Sequence, residues 1–149
     1  MTTEKLLEDI KKHNGAEPRP GDAALDVLVP AGEIRAALAA LRKAGFSHLS
    51  FVSAQDLVKD GAIELVYRLF SREAGTDATL RSRLDRKAPQ APTVSDLFRT
   101  AEWHERETAE MFGVTFAGHP DPQRLLLPEG VAAPLRKDFT HGELTPLPR

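Results

Sequence analysis

The stretch LSFVSAQDLVKDGAIELVYRLF, residues 49–70, decides the fold. Leu49, Phe51 and Ser53 alternate with Ser50, Val52 and Ala54, and Ile63, Leu65, Tyr67 and Leu69 alternate with Glu64, Val66, Arg68 and Phe70. A period of two marks strands with two unlike faces, and Lys59-Asp60-Gly61 between the runs supplies a turn. The stretch predicts a β-hairpin.

Upstream, Ile34, Ala37, Leu38 and Leu41 recur at the spacing of one helical face, which predicts a helix over 32–44 with Gly45 at its left-handed end. Leu25, Val27 and Val29 alternate with Asp26 and Leu28 as a strand does, and Pro30 ends it. Residues 16–21, with Pro18 and Pro20, read as an extended linker. Before it, Thr2 or Thr3 caps a short helix carrying Leu6, Leu7 and Ile10 on one face, stopped at Asn14-Gly15. Downstream of the hairpin, residues 79–84 alternate more weakly and predict an edge strand with its arginines outward.

The order helix, strand, helix, strand, strand, strand predicts an α+β fold, a small mostly antiparallel sheet packed with helices. Pro89 and Pro92 then break the chain, and Thr93 with Asp96 resembles a capping box. Val94, Leu97, Phe98, Ala101, Thr108 and Phe112 share one helical face, so a helix of about five turns is expected, ended by Gly113. Prolines at 120, 122, 128, 134, 146 and 148 predict an extended C-terminal tail. Residues 1–149 thus read as a single domain: an α/β core over 1–88, a long helix over 93–113 and a tail over 114–149.

Composition narrows the function. The chain has 149 residues, 41% hydrophobic and 28% charged, a net charge of −2 and no cysteine. Without cysteine there is no disulfide, no thiol catalysis and no thiolate-held iron–sulfur cluster. No apolar run approaches the roughly 20 residues of a membrane span, so membrane association is expected only through a partner. The charged start has no signal-like apolar core, which predicts a cytoplasmic chain. Arg81, Arg83, Arg86 and Lys87 form a basic cluster, and Glu102, Glu105, Glu107 and Glu110 an acidic one, neither strong enough for a nucleic-acid footprint.

The long helix carries the candidate chemistry. Glu102, Arg106 and Glu110 lie at i, i+4 and i+8, the spacing of a salt-bridge ladder on a solvated face. Glu105 falls near the apolar stripe while Glu107 points elsewhere, which disfavours a shared carboxylate site. His104-Glu105 begins like a zinc-protease helix, but position 108 is Thr where the second histidine belongs. His13, His48, His104, His119 and His141 have no metal-ligand spacing, and no phosphate loop, dinucleotide fingerprint or nucleophile elbow occurs. Gly118-His119-Pro120-Asp121-Pro122 reads as a rigid corner, and Pro134 to Phe139 as a segment suited to docking. Two other functions stay open on the residues alone. One is a small acid–base enzyme using Glu105 or Glu107 with His119 in a cleft at the helix end; the other is a free-standing adaptor binding peptides at a sheet edge.

Taken together, Glu105, Arg106, Glu107, Glu110, Met111, Phe112 and Gly113, then Gly118, His119, Pro120, Asp121, Arg124 and Leu125, then Pro134, Leu135, Arg136, Lys137, Asp138 and Phe139, form three ordered blocks. They resemble the 30 kDa subunit family of proton-pumping NADH:quinone oxidoreductase (complex I). Departures from the family pattern are Glu110 where Asp is usual, Pro122-Gln123 where Leu-Arg is common, and Thr140 where Pro often follows the Phe. The resemblance implies a non-catalytic structural subunit with no metal or cofactor of its own, in the hydrophilic arm at the cytoplasmic face of the membrane. It implies docking on the large hydrogenase-like, 49 kDa-type subunit beside a small iron–sulfur subunit, with the three blocks as interface and no nucleic acid. The parent complex would carry iron–sulfur clusters and either flavin mononucleotide with quinone or a nickel–iron centre. The same module occurs in energy-converting membrane-bound hydrogenases and in archaeal complexes fed by a deazaflavin.

Overall fold

The structure, a computed structural model, describes residues 5, 8–10, 17–18, 25–128 and 130–139. Its strands are β1 (Glu17–Pro18), β2 (Leu25–Leu28), β3 (His48–Leu57), β4 (Ala62–Ser71), β5 (Thr76–Asp85), β6 (Gln90–Pro92) and β7 (Thr115–Ala117). Helix α1 spans Ile34–Lys43 and helix α2 spans Ala101–Phe112. Five strands form one sheet in the order β1-β2-β5-β4-β3, and β6 pairs with β7 separately. Among the described residues only the β2/β5 pair in the larger sheet is parallel, so the fold is α+β with a mixed, mostly antiparallel sheet.

The hairpin forms where its alternation places it, with a turn through Val58–Asp60 and Gly61 in the left-handed region at φ 62°. Its first strand carries one irregularity that alternation does not reveal. Leu49 pairs with Leu69, but Phe51 pairs with Arg68, so Ser50 is an extra, bulged residue. The bulge resets the phase by one: Leu49 is buried, Phe51 is 38% exposed, and Val52, Ala54 and Asp56 turn inward. Leu49 and Phe51, expected on one face, lie on different ones.

Helix α1 buries Ile34, Ala37, Leu38 and Leu41, the predicted stripe, and Gly45 closes it at φ 100°. The Phe46 amide donates to the Leu41 carbonyl and the Gly45 amide to that of Arg42, which satisfies the helix's last carbonyls. That stripe meets Ile63, Leu65, Tyr67 and Leu69 of β4, Ala78, Leu80 and Leu84 of β5, and Ala101 and Phe112 of α2 in one core. Each large side chain fully buried there contributes about 2 kcal/mol, so packing, rather than propensity, holds the elements.

β5 is central, flanked by β2 and β4, and not the predicted edge strand. Its arginines do point away from the core, but they meet acids from the neighbouring strands. Arg81 bonds Asp26 at 2.9 Å and Glu64 at 3.3 Å, and Arg83 bonds Glu64 at 3.2 Å. Neutralised in this way, arginines need no edge. The actual edge of β3 is blunted by α2 and the residue before it: the Thr100 hydroxyl donates to the Leu49 carbonyl at 3.3 Å, and that of Thr108 is shared between the Val52 carbonyl at 3.1 Å and the His104 carbonyl of its own helix at 2.8 Å.

The long helix is shorter than its apolar spacing predicts. It begins at Ala101, not near Thr93, and runs twelve residues. Residues 94–98 form a separate turn, with the Leu97 and Phe98 amides donating to the Val94 carbonyl. The expected capping box is dismantled by tertiary partners, because Thr93 turns to Glu105 and Asp96 accepts both guanidinium nitrogens of Arg35. In the predicted linker, Glu17 and Pro18 pair with Leu28 and Val27. Lys5 and Glu8–Ile10 are helical, whereas the Thr2 or Thr3 cap, the Asn14-Gly15 stop and tail residues 140–149 lie outside the described residues.

Candidate functional site

The three motif blocks converge on α2. The second block, after the corner at Gly118 (φ 80°) and Pro120, is held along one side of the helix. Arg106 donates from Nε to the Gln123 carbonyl and from Nη2 to the Arg124 carbonyl, both at 3.0 Å, and lies 3.7 Å from Asp121. The Glu110 carboxylate accepts the amides of Leu125 and, at 2.9 Å, Leu126. Burial alone would raise that carboxyl, but amides of Leu126, Leu125 and Leu127 outweigh it and hold it below the usual range. Arg124 donates from one nitrogen to the carbonyls of Pro128 and Val131, each at 2.8 Å, and so ties its own loop.

The third block caps the helix C-terminus. The Ala133 amide donates to the Glu110 carbonyl, that of Leu135 to the Met111 carbonyl, and Arg136 Nε to the Phe112 carbonyl at 2.7 Å. These are the carbonyls that a helix end leaves without intrahelical partners. Gly113 adopts φ 74°, and its missing Cβ leaves room for the Arg136 guanidinium. Beyond Pro134, the Lys137 amide donates to Asp56, and Asp138 meets Arg86 at 2.9 Å. Phe139 closes the described tail, its amide donating to the Arg136 carbonyl. Arg86 also grips both oxygens of Asp56, at 2.7 and 2.9 Å, and this pairing holds the Asp56 carboxyl down at about 2.

Glu105 points inward and is fully buried. One oxygen accepts the Thr93 hydroxyl at 2.6 Å, the other the Val94 amide at 2.7 Å. Burial nevertheless pushes its carboxyl above the ordinary value, since two hydrogen bonds replace a full hydration shell. His119 approaches at 3.7 Å and borders the same cavity of about 170 Å³. Its Nδ1 accepts the Asp121 amide at 3.0 Å, which leaves Nε2 as the protonated nitrogen, donating to the Glu102 carbonyl at 3.0 Å. Acid and histidine thus converge, but each is engaged in holding the chain.

Glu107 stands apart on the exposed side of α2. The ladder predicted among Glu102, Arg106 and Glu110 does not form among the described residues: the arginine and Glu110 are both taken by main chain of the second block. Glu105, expected among the interface residues, is completely buried within the chain. Sequence spacing missed Asp56, Arg86, Thr93 and Arg35, which anchor the tail and the turn before α2. Arg86 stood out only as part of a basic cluster, and the signal at Thr93 pointed to a cap.

The profile of the family described as "Respiratory-chain NADH dehydrogenase, 30 Kd subunit" matches residues 27–144. The chain is 38% identical to an NADH-quinone oxidoreductase subunit of Moorella thermoacetica over 125 residues, covering 83% of this chain and 84% of that one. It resembles a chain in the structure of the membrane-bound sulfane sulfur reductase, an archaeal respiratory membrane complex, with a TM-score of 0.80 and 32% identity over 92% of this chain and 85% of that one. A trypsin-resistant fragment of Nqo5 is similar at a TM-score of 0.71 and 26% identity, covering 81% of this chain and 99% of the fragment. These relatives are subunits of complex I and related membrane respiratory complexes, and the chain belongs to the respiratory-chain NADH dehydrogenase 30 kDa subunit family.

Proposed function

We propose that this protein is a structural, non-catalytic subunit in the hydrophilic arm of a membrane-bound, ion-pumping respiratory complex. It docks on the large hydrogenase-like subunit beside a small iron–sulfur subunit, peripheral to the membrane on its cytoplasmic face. The redox groups, iron–sulfur clusters with either flavin and quinone or a nickel–iron centre, belong to those neighbours. The observation that carries this reading is the internal use of the motif: Glu105, Arg106, Glu110, His119, Arg124 and Arg136 all bind groups of this chain. Charges engaged in this way build a rigid shape for a partner to read.

Deletion of the chain from its host, followed by complementation with Glu105→Gln, separates the structural role from an acid–base enzyme. The expected result is loss of the assembled complex on deletion and recovery of assembly and electron transfer with the Gln variant. Normal assembly in the deletion strain overturns the structural role. Recovery of assembly without turnover would point to proton chemistry at Glu105.

A further inference from the structure

With the motif arginines Arg106, Arg124 and Arg136 bonded inside the chain, recognition of a partner passes to the side chains left outside. A groove of about 340 Å³ runs between β3 and α2, lined by Phe51, Val52, Ser53, His104, Glu107, Thr108, Met111 and Phe112. Its walls mix apolar side chains, Phe51, Val52, Met111 and Phe112, with polar ones, Ser53, His104, Glu107 and Thr108, and the bulge at Ser50 is what turns Phe51 outward to form one of them. Glu107 is the only carboxylate on the groove, and among the described residues it has no hydrogen-bond or ion-pair partner. One turn earlier on the same helical face, Trp103 is 58% exposed, with the Arg106 guanidinium 5.2 Å from its ring. Arg106 is itself fixed by two carbonyls, so Trp103 is held in place before any partner arrives. At the other end, Leu135 is 56% exposed and bound through its amide to Met111.

A large indole, the Phe51 and Met111 side chains and one unpaired carboxylate define the chemistry of the occupant. Covering this surface removes water from Glu107, and a carboxylate buried without a counter-charge is costly. We propose that the groove receives a segment of a partner subunit that sets an arginine or lysine against Glu107 and apolar side chains on Phe51, Met111 and Trp103. The proposal rests on the docking role above and assigns that role a place. It moves the recognition surface from the motif arginines to the outer face of α2.

The test uses the whole complex isolated from host membranes. A benzoyl-phenylalanine photocrosslinker is placed at Phe51 or Met111 and, for contrast, at Lys59 or Arg99. Both groove positions are expected to couple to one partner subunit, next to an arginine or lysine. Glu107→Arg is then expected to lower recovery of assembled complex about tenfold or more, and changing that partner cation to Glu to restore it. Adducts only from Lys59 or Arg99 would overturn the groove while leaving the docking role standing; no intersubunit adduct from any position would remove both. Adducts to lipid from the groove, or undiminished assembly with Glu107→Arg, would also overturn it.

Discussion

A Cβ on Gly113 would stand 3.2 Å from Nη2 of Arg136, in a backbone conformation of φ 74° that side chains rarely adopt. The helix end and the tail have therefore been fitted to each other. Gly113→Ala is expected to destabilise the protein by about 1–2 kcal/mol from the left-handed backbone alone. Denaturant unfolding measures that loss. Protease cleavage within 131–139 should rise with it, because Arg136 must yield to the new methyl.

Glu105 is expected to show two different costs. Glu105→Ala orphans the Val94 amide, leaves the Thr93 hydroxyl with Ser95 alone and opens a cavity, for about 2–5 kcal/mol. Glu105→Gln keeps the shape and removes the titration, with one acceptor oxygen exchanged for an amide donor that the Thr93 hydroxyl can accept. The carboxyl is raised above its ordinary value of 4.5, so its stabilising contribution is complete below that value and is lost as pH rises through the elevated folded one. The stability of the wild type relative to the Gln variant should therefore fall with rising pH across that window. A flat difference from acid to neutral pH would contradict it.

Asp56 behaves in the opposite sense. Its carboxyl sits at about 2, below the ordinary 3.8, so the anchorage it gives is present above 3.8 and lost as pH falls through about 2. Protection of the Lys137 amide against hydrogen exchange should collapse over that interval in the wild type. With Asp56→Asn it should be low already at neutral pH and change little between pH 4 and 2.

Thr108→Val removes the hydroxyl that meets the Val52 carbonyl on the edge of β3 at nearly constant volume. The expected loss is about 1 kcal/mol in denaturant unfolding, with faster exchange along β3 and little change in β5. Equal loosening of both strands would argue that the hydroxyl does not act at the edge.

Much of this architecture was legible in alternation and helical spacing. The hairpin, the buried stripe of α1 with Gly45 behind it, and the inward turn of Glu105 beside an outward Glu107 all follow from local periodicity, which side-chain geometry enforces within a few residues. The bulge at Ser50 was not legible, because a single extra residue leaves the composition of a strand unchanged. The central place of β5 was hidden for a different reason: its second neighbour, β2, which supplies Asp26 to Arg81, lies far away in the sequence.

By itself the sequence determined the α+β class, the three ordered blocks and the family they resemble, since these depend on residue type and spacing. Tertiary structure alone decided where the charges go. Arg106 and Glu110, spaced for a ladder, were won by the main chain of residues 123–126, and the helix starting at Thr93 was lost to Glu105 and Arg35. An exposed pair of opposite charges on a helix is worth only a few tenths of a kcal/mol. A carboxylate or guanidinium that satisfies otherwise orphaned backbone groups contributes more, and the fold follows the larger energy.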